Sequence, residues 1–318
     1  MTDAMMKTVA CVGTGVIGRG WIYNFVRAGC HTRAYDKDSS QIDQAITWLK
    51  GTLKQDIADG FLTEEKGEAM ARLVTLHTNL REALDGVEYV QESGPEVMDI
   101  KNAMFAEMDR WTDPKTILAS SASSLNINEF TAGIPGMDRC ILAHPFNPPH
   151  IIPAVEVMPT KKTDPNVVDR TIAFLKSLGH KPMLINFFVS GYLINRIQAA
   201  VVREAIHLVE SGLCNAEAVD TAIKDGLGLR WVILGNFGTN HTNAVGGIRE
   251  YYGKFGKVYQ SMMKALDSTP PSFDDEMVER FGKQLDEIYG RVPVDQISKW
   301  RDRLIRKIRR LKDEDPNP

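Results

Sequence analysis

Val9-Ala10-Cys11-Val12 runs directly into Gly13-Thr14-Gly15-Val16-Ile17-Gly18, and Tyr35-Asp36 follows about one helix and one strand downstream. A short apolar run, a G-x-G-x-x-G turn, a helix, a second strand and an acid form the pattern of a dinucleotide-binding βαβ unit. Each glycine serves a separate purpose. Gly13 permits the tight turn, Gly15 lets backbone approach a pyrophosphate, and Gly18 lets the helix lie close on its strand. Val16 and Ile17 fill the variable positions, in the first helical turn that faces the phosphates. A glycine-rich turn alone is common. Here the carboxylate of Asp36 stands 18 residues beyond Gly18, near the expected interval of about 20. Asp36 would accept both ribose hydroxyls and repel a 2′-phosphate, so NAD is expected rather than NADP.

The pattern extends outward into a sheet. Leu73–Leu76, Val87–Val90, Thr116–Ala119, Cys140–Ala143, Val155–Val157 and Pro182–Ile185 are short apolar runs separated by helical patterns or turns. Such alternation specifies an α/β fold with a doubly wound, mostly parallel, Rossmann-type sheet. Residues 40–73 form a charged helical insertion broken at Asp59-Gly60. Beyond Val189 strand signals vanish and helical periodicity dominates. The expected domains are therefore 1–188, which binds NAD, and an all-helical 189–318.

Composition narrows the partners. With 43% hydrophobic and 25% charged residues, 318 residues can fill two cores. A formal charge of −3 with mixed signs gives no electrostatic case for nucleic acid or an anionic membrane. The four cysteines are scattered, without metal-ligand spacing, so no metal is expected and the thiols read as buried in a reducing compartment. With neither a leader-like N-terminus nor a long apolar span, a cytoplasmic location is expected. The final helix carries Trp300, Leu304, Ile308 and Leu311 on one stripe among many Arg and Lys residues. It is expected to dock by that stripe, with its basic face in water or against a second subunit.

A dehydrogenase acting on an alcohol needs a base, a group that fixes the base, and donors for the oxygen as it becomes a carbonyl. His144 lies in Ala143-His144-Pro145-Phe146-Asn147-Pro148, at the carboxyl end of a strand, and Glu156 follows 12 residues later within the apolar run Val155-Glu156-Val157. A carboxylate there is costly unless paired. The residues alone leave two readings open: a structural histidine, or a dyad in which Glu156 orients the imidazole. Ser120-Ser121-Ala122-Ser123-Ser124 offers hydroxyls that serve either as helix caps or as donors. Asn195, unfavourable inside a helical pattern, suggests a place at the domain junction.

Taken together, G-x-G-x-x-G, Glu92 and Glu96 in Q-E-S-G-P-E, Lys101, S-x-x-S-S-L, H-P-F-N-P, V-E-V and N-R are similar to the L-3-hydroxyacyl-CoA dehydrogenase superfamily over essentially the whole chain. The resemblance implies an active site of Ser123, His144, Glu156 and Asn195, and places Glu96 and Lys101 near the nicotinamide end of NAD. It also implies pairing into a homodimer through the helical domain. The second domain resembles the λ-crystallin / L-gulonate 3-dehydrogenase group in Asp225-Gly226-Leu227-Gly228-Leu229-Arg230-Trp231 and His241-Thr242-Asn243-Ala244. L-Carnitine dehydrogenases share the G-L-R-W segment and the Gly246-Gly247 pair. Asn236 and Gly238 depart from the gulonate group, which has proline and glutamate there.

The implied activity is NAD-dependent oxidation of a small L-3-hydroxy acid, with L-gulonate the leading substrate. Arg230 suits a substrate carboxylate through two parallel hydrogen bonds, or else forms a structural ion pair. Asn147 is a further expected substrate contact. The competing readings are a 3-hydroxyacyl-CoA enzyme, an L-carnitine dehydrogenase, and a non-catalytic crystallin-like protein.

Overall fold

The computed structural model describes residues 6–290 and 292–315. They divide into two compact units that meet between Ile194 and Asn195.

The first unit is a sheet covered by helices on both faces. In chain order it runs β1 (Thr8–Val12), α1 (Val16–Arg27), β2 (His31–Tyr35), α2 (Ser39–Ala58), α3 (Glu64–Arg72), β3 (Val74–His77), α4 (Leu80–Leu84), β4 (Tyr89–Glu92) and α5 (Met98–Trp111). It continues with β5 (Ile117–Ser120), α6 (Ile127–Phe130), β6 (Cys140–Pro145), β7 (Ala154–Pro159), α7 (Pro165–Ser177) and β8 (Lys181–Leu184). The eight strands lie in the order β3-β2-β1-β4-β5-β6-β7-β8. All neighbours are parallel except β6 and β7, which are antiparallel.

Strand alternation builds two cores. Val9, Cys11, Tyr89, Ala119, Ile141 and Val157 pack with Trp21 and Phe25 of α1 and Phe174 of α7 on one face. Ala10, Val12, Val90, Leu118 and Leu142 pack with Phe105 and Met108 of α5 on the other. Strands buried on both faces explain the unbroken apolar runs in the sequence. The chain leaves β1 toward β2 and β3, then crosses to β4 on the opposite side of β1. That reversal between β1 and β4 opens the crevice at which open α/β sheets bind ligands, beyond the carboxyl ends of the strands.

Several strands run further than their apolar letters. The run at Val87–Val90 becomes Tyr89–Glu92, and Thr116–Ala119 becomes Ile117–Ser120. Their polar ends remain in the sheet because each finds a buried partner, as described below. Tyr192 packs with the sheet unit: it is buried and donates its hydroxyl to the Leu125 carbonyl (2.9 Å).

The second unit is helical: α8 (Ile194–Glu210), α9 (Ala216–Thr221), α10 (Gly228–His241), α11 (Gly247–Ala265), α12 (Asp275–Tyr289) and α13 (Val294–Glu314). Residues 222–227 form a wide π-type turn, and α10 is kinked at Gly235, whose φ of 70° suits glycine. Helix α10 forms although four glycines between 226 and 238 weaken its helical pattern. The apolar stripe of α13 is not docked as expected: Trp300 is 54% and Leu311 62% exposed. Of the cysteines, Cys11, Cys30 and Cys140 are buried while Cys214 is half-buried. No helix among the described residues is long and apolar enough to cross a membrane.

Candidate active site

The glycine turn is built as a cradle. Gly13 has φ of 91°, and a Cβ on it would lie 2.9 Å from the Ser93 backbone. A Cβ on Gly18 would meet the Gly13 carbonyl oxygen at 1.9 Å, so the helix lies against its strand only because this residue is glycine. Gly15 faces open space, and no side chain caps the start of α1. The first N–H groups of α1, including those of Val16 and Ile17, are therefore left for an anion. Asp36, just past β2, accepts from Thr14 N–H (2.9 Å) and Thr14 Oγ1 (3.2 Å) at one oxygen and from Asp38 N–H at the other. These bonds fix the carboxylate beside the cradle. An uncapped helix start, open space at Gly15 and a tethered acid suit the pyrophosphate and adenosine of NAD.

Further along the same edge, His144 near the end of β6 sits directly opposite Glu156 of β7 in the antiparallel register. His144 Nδ1 lies 2.7 Å from Glu156 Oε2. Glu156 is fully buried and His144 nearly so. The other carboxylate oxygen accepts the N–H groups of Leu193 and Ile194, each at 2.8 Å. Burial works against the charged carboxylate, but the bonds from His144, Ile194 and Leu193 and the charge of His144 together outweigh it. They hold Glu156 below the ordinary carboxylate range. Because a carboxylate only accepts, Nδ1 carries a hydrogen, and in the neutral ring, the form able to act as base, Nε2 keeps a lone pair. The Tyr192 ring packs on the imidazole, with centroids 5.4 Å apart.

The serine turn after β5 is held by Glu96. Ser123 N–H donates to Glu96 Oε1 (2.6 Å), Ser123 Oγ lies 3.4 Å from the same oxygen, and Ser124 Oγ donates to Oε2 (3.0 Å). Lys101 is held against the loop after β4. It is 1% exposed, and its ammonium donates to Glu92 Oε1 (2.9 Å), Glu92 Oε2 (3.0 Å) and the Gly94 carbonyl (3.1 Å). These bonds lock the loop that carries Glu96, with Ser120 Oγ and Gly94 N–H completing the shell of Glu92.

The first unit thus brings together the cradle, Asp36, the Glu96–Ser123 turn and the His144–Glu156 pair on one edge. Asn147 is exposed on the turn after His144. Asn195 is half-buried in the first turn of α8, and Arg230 is exposed on α10, both in the second unit. Sequence reasoning missed Tyr192 and the two N–H groups that follow it. Gly191, with φ of 79°, precedes the unusual Tyr192 φ of 45° and was the only local signal.

Residues 8–187 match the family model for the NAD-binding domain of 3-hydroxyacyl-CoA dehydrogenase, and residues 191–284 match its C-terminal domain. The chain belongs to the 3-hydroxyacyl-CoA dehydrogenase family. It is 33% identical to lambda-crystallin of Oryctolagus cuniculus, with 98% of each chain covered. It is 32% identical to L-carnitine dehydrogenase of Oceanobacillus iheyensis, covering 95% of this chain and 97% of the relative. A solved 5-formyl-3-hydroxy-2-methylpyridine 4-carboxylic acid 5-dehydrogenase, described as an NAD+-dependent dismutase, shares the fold, with a TM-score of 0.80, 24% identity and coverage of 97% and 99%. This family member is an NAD-dependent dehydrogenase.

Proposed function

We propose that the protein oxidises the 3-hydroxyl of a small L-3-hydroxy acid to the 3-keto acid, with L-gulonate as the leading substrate. The observation that carries this reading is the 2.7 Å contact between His144 Nδ1 and buried Glu156, which leaves Nε2 as a base at the strand edge. NAD, when bound, accepts the hydrogen that leaves C3 with its electron pair. His144 Nε2 takes the hydroxyl proton, and Glu156 holds the ring and stabilises the imidazolium that forms. Ser123, positioned by Glu96, and Asn195 hold the oxygen as it becomes a carbonyl. Asn147 and Arg230 contact the substrate, Arg230 through its carboxylate.

The protein works as a cytoplasmic homodimer joined through the second unit. Supporting the pairing, large apolar side chains of that unit are exposed in the single chain, including Phe237 at 69% and Met263 at 64%. A second reading, L-carnitine oxidation, is favoured by the relative of that name at nearly equal identity.

The test is NADH formation with L-gulonate, L-carnitine, L-3-hydroxybutyrate and 3-hydroxybutyryl-CoA in parallel. Highest kcat/KM with L-gulonate is expected. Preference for L-carnitine selects the second reading, activity with the thioester but not the free acids selects an acyl-CoA enzyme, and NADH binding without any turnover selects a crystallin-like role. With the best acid, Arg230→Ala should raise KM, at a cost of about 2–5 kcal/mol in binding.

A further inference from the structure

Beneath the crevice lies a buried polar network that the chemistry above does not use. Trp21 of α1 and Gln91 of β4 are fully enclosed, and both reach the hydroxyl of Ser121, the first residue after β5. Trp21 Nε1 stands 3.1 Å and Gln91 Nε2 2.7 Å from Ser121 Oγ. Ser93 Oγ, the first residue past β4, is 2.9 Å from the same oxygen. The amide of Gln91 is fixed at both ends: its nitrogen faces the Ala143 carbonyl (3.1 Å), and its oxygen accepts from Tyr89 OH (2.8 Å).

These partners leave only one assignment of hydrogens. The indole N–H can only donate, and the Gln91 nitrogen can only donate. Together they fill both lone pairs of Ser121 Oγ, so Ser121 must give its own hydrogen to Ser93. The hydroxyl of Ser93 accepts that bond and keeps its own hydrogen for a further partner. Ser93 is half-buried at the carboxyl edge of β4, and its backbone abuts the Gly13 turn.

We propose that Ser93 is a cofactor-binding residue whose hydroxyl donates to an oxygen of the ribose on the nicotinamide side of NAD. The side of the cofactor follows from the sheet order. Asp36, suited to the adenosine ribose, stands past β2, whereas Ser93 stands past β4, on the other side of β1. A dinucleotide crossing the turn after β1 with its adenosine over β2 brings its second half over β4 and β5. Trp21, Gln91 and Ser121 are positioning residues that set the direction of the Ser93 bond, and they tie it to the helix that carries the phosphate cradle.

The test measures binding without substrate, so it stands apart from the identity of the hydroxy acid. Dissociation constants of NADH, ADP-ribose and ADP are measured by calorimetry for the wild type, Ser93→Ala and Ser93→Thr, with apo melting curves confirming that each variant is folded. Loss of one neutral hydrogen bond should weaken NADH and ADP-ribose about three- to tenfold in Ser93→Ala. ADP, which lacks the second ribose, should bind as in the wild type, and Ser93→Thr, which keeps the hydroxyl, should restore NADH binding. Unchanged NADH affinity in Ser93→Ala overturns the proposal, as does an equal loss for ADP, which would place the contact on the pyrophosphate.

Discussion

Replacing Glu156 by glutamine changes one atom of the site and reassigns a hydrogen. The wild-type carboxylate accepts from three donors: His144 Nδ1 at one oxygen, and the Leu193 and Ile194 N–H groups at the other. An amide has one oxygen. Turned toward Leu193 and Ile194, it keeps both backbone bonds but sets its NH2 group against Nδ1. Turned toward His144, it leaves two buried N–H groups facing an NH2, each costing about 1–3 kcal/mol. The first arrangement is therefore favoured by at least one unsatisfied donor, and it forces the imidazole to accept at Nδ1 and carry its hydrogen on Nε2. A ring protonated at Nε2 cannot take the hydroxyl proton. The wrong tautomer costs about 10⁴ in kcat in a serine-protease triad, so Glu156→Gln should lose about 10³–10⁴ in kcat, or about 4–5.5 kcal/mol. NADH affinity should not change, because the hydrogen bonds of the Glu156 carboxylate among the described residues go to His144 and the 193–194 backbone. Steady-state rates with the best acid, beside NADH titration by fluorescence, measure both. A Glu156→Gln enzyme within tenfold of wild-type kcat would refute the assignment of the Nε2 lone pair as base.

Three further outcomes rest on the same contacts. Lys101→Met leaves Glu92 buried without its cation and should destabilise the fold by about 3–5 kcal/mol in urea denaturation; a variant as stable as the wild type would refute the Glu92–Lys101 ion pair as a support of the fold. Gly18→Ala places a methyl group 1.9 Å from the Gly13 carbonyl oxygen; a melting curve should show about 1–3 kcal/mol lost, and NADH affinity should fall because the displaced segment is the cradle itself. Glu156 is held below its ordinary value of 4.5, so its contribution to stability is present above that value and lost as pH falls through the lower folded value. The melting temperature of the wild type should accordingly drop more than that of Glu156→Gln on acidification below 4.5, and parallel curves would contradict the bonds drawn to the carboxylate.

What could be read from the letters was whatever one backbone segment determines. Gly13, Gly15 and Gly18 act through their own torsions and missing side chains, so the cradle was legible before any fold was known. Glu156 was legible for a different reason: a charge inside Val155-Glu156-Val157 demands a partner. The identity of that partner rests on an antiparallel register between β6 and β7 that no local pattern specifies. Ser121 shows the limit most sharply, since its contact Trp21 is 100 residues away and an indole in an apolar helix reads only as core. Lys101 shows the same limit: its bonds to Glu92 and the Gly94 carbonyl, which brace the loop, rest on a pairing of β4 with α5 that no motif spells out.

The two edge networks end in opposite chemical characters, and each follows from partners with only one hydrogen-bonding sense. At Glu156 an acceptor with no hydrogen meets His144, so the ring is left with a lone pair at Nε2. At Ser121 two donors with no accepting capacity converge, so Ser93 is left with a hydrogen. A lone pair at the edge of β6 suits an alcohol O–H, and a hydrogen at the edge of β4 suits the oxygens of a ribose. Neither character depends on a flexible surface side chain, because Glu156, Trp21 and Gln91 are each fully enclosed. Exchanging a buried partner for one of reversed sense should therefore alter the chemistry at the edge while leaving the edge residue itself in place, and Glu156→Gln does so for His144.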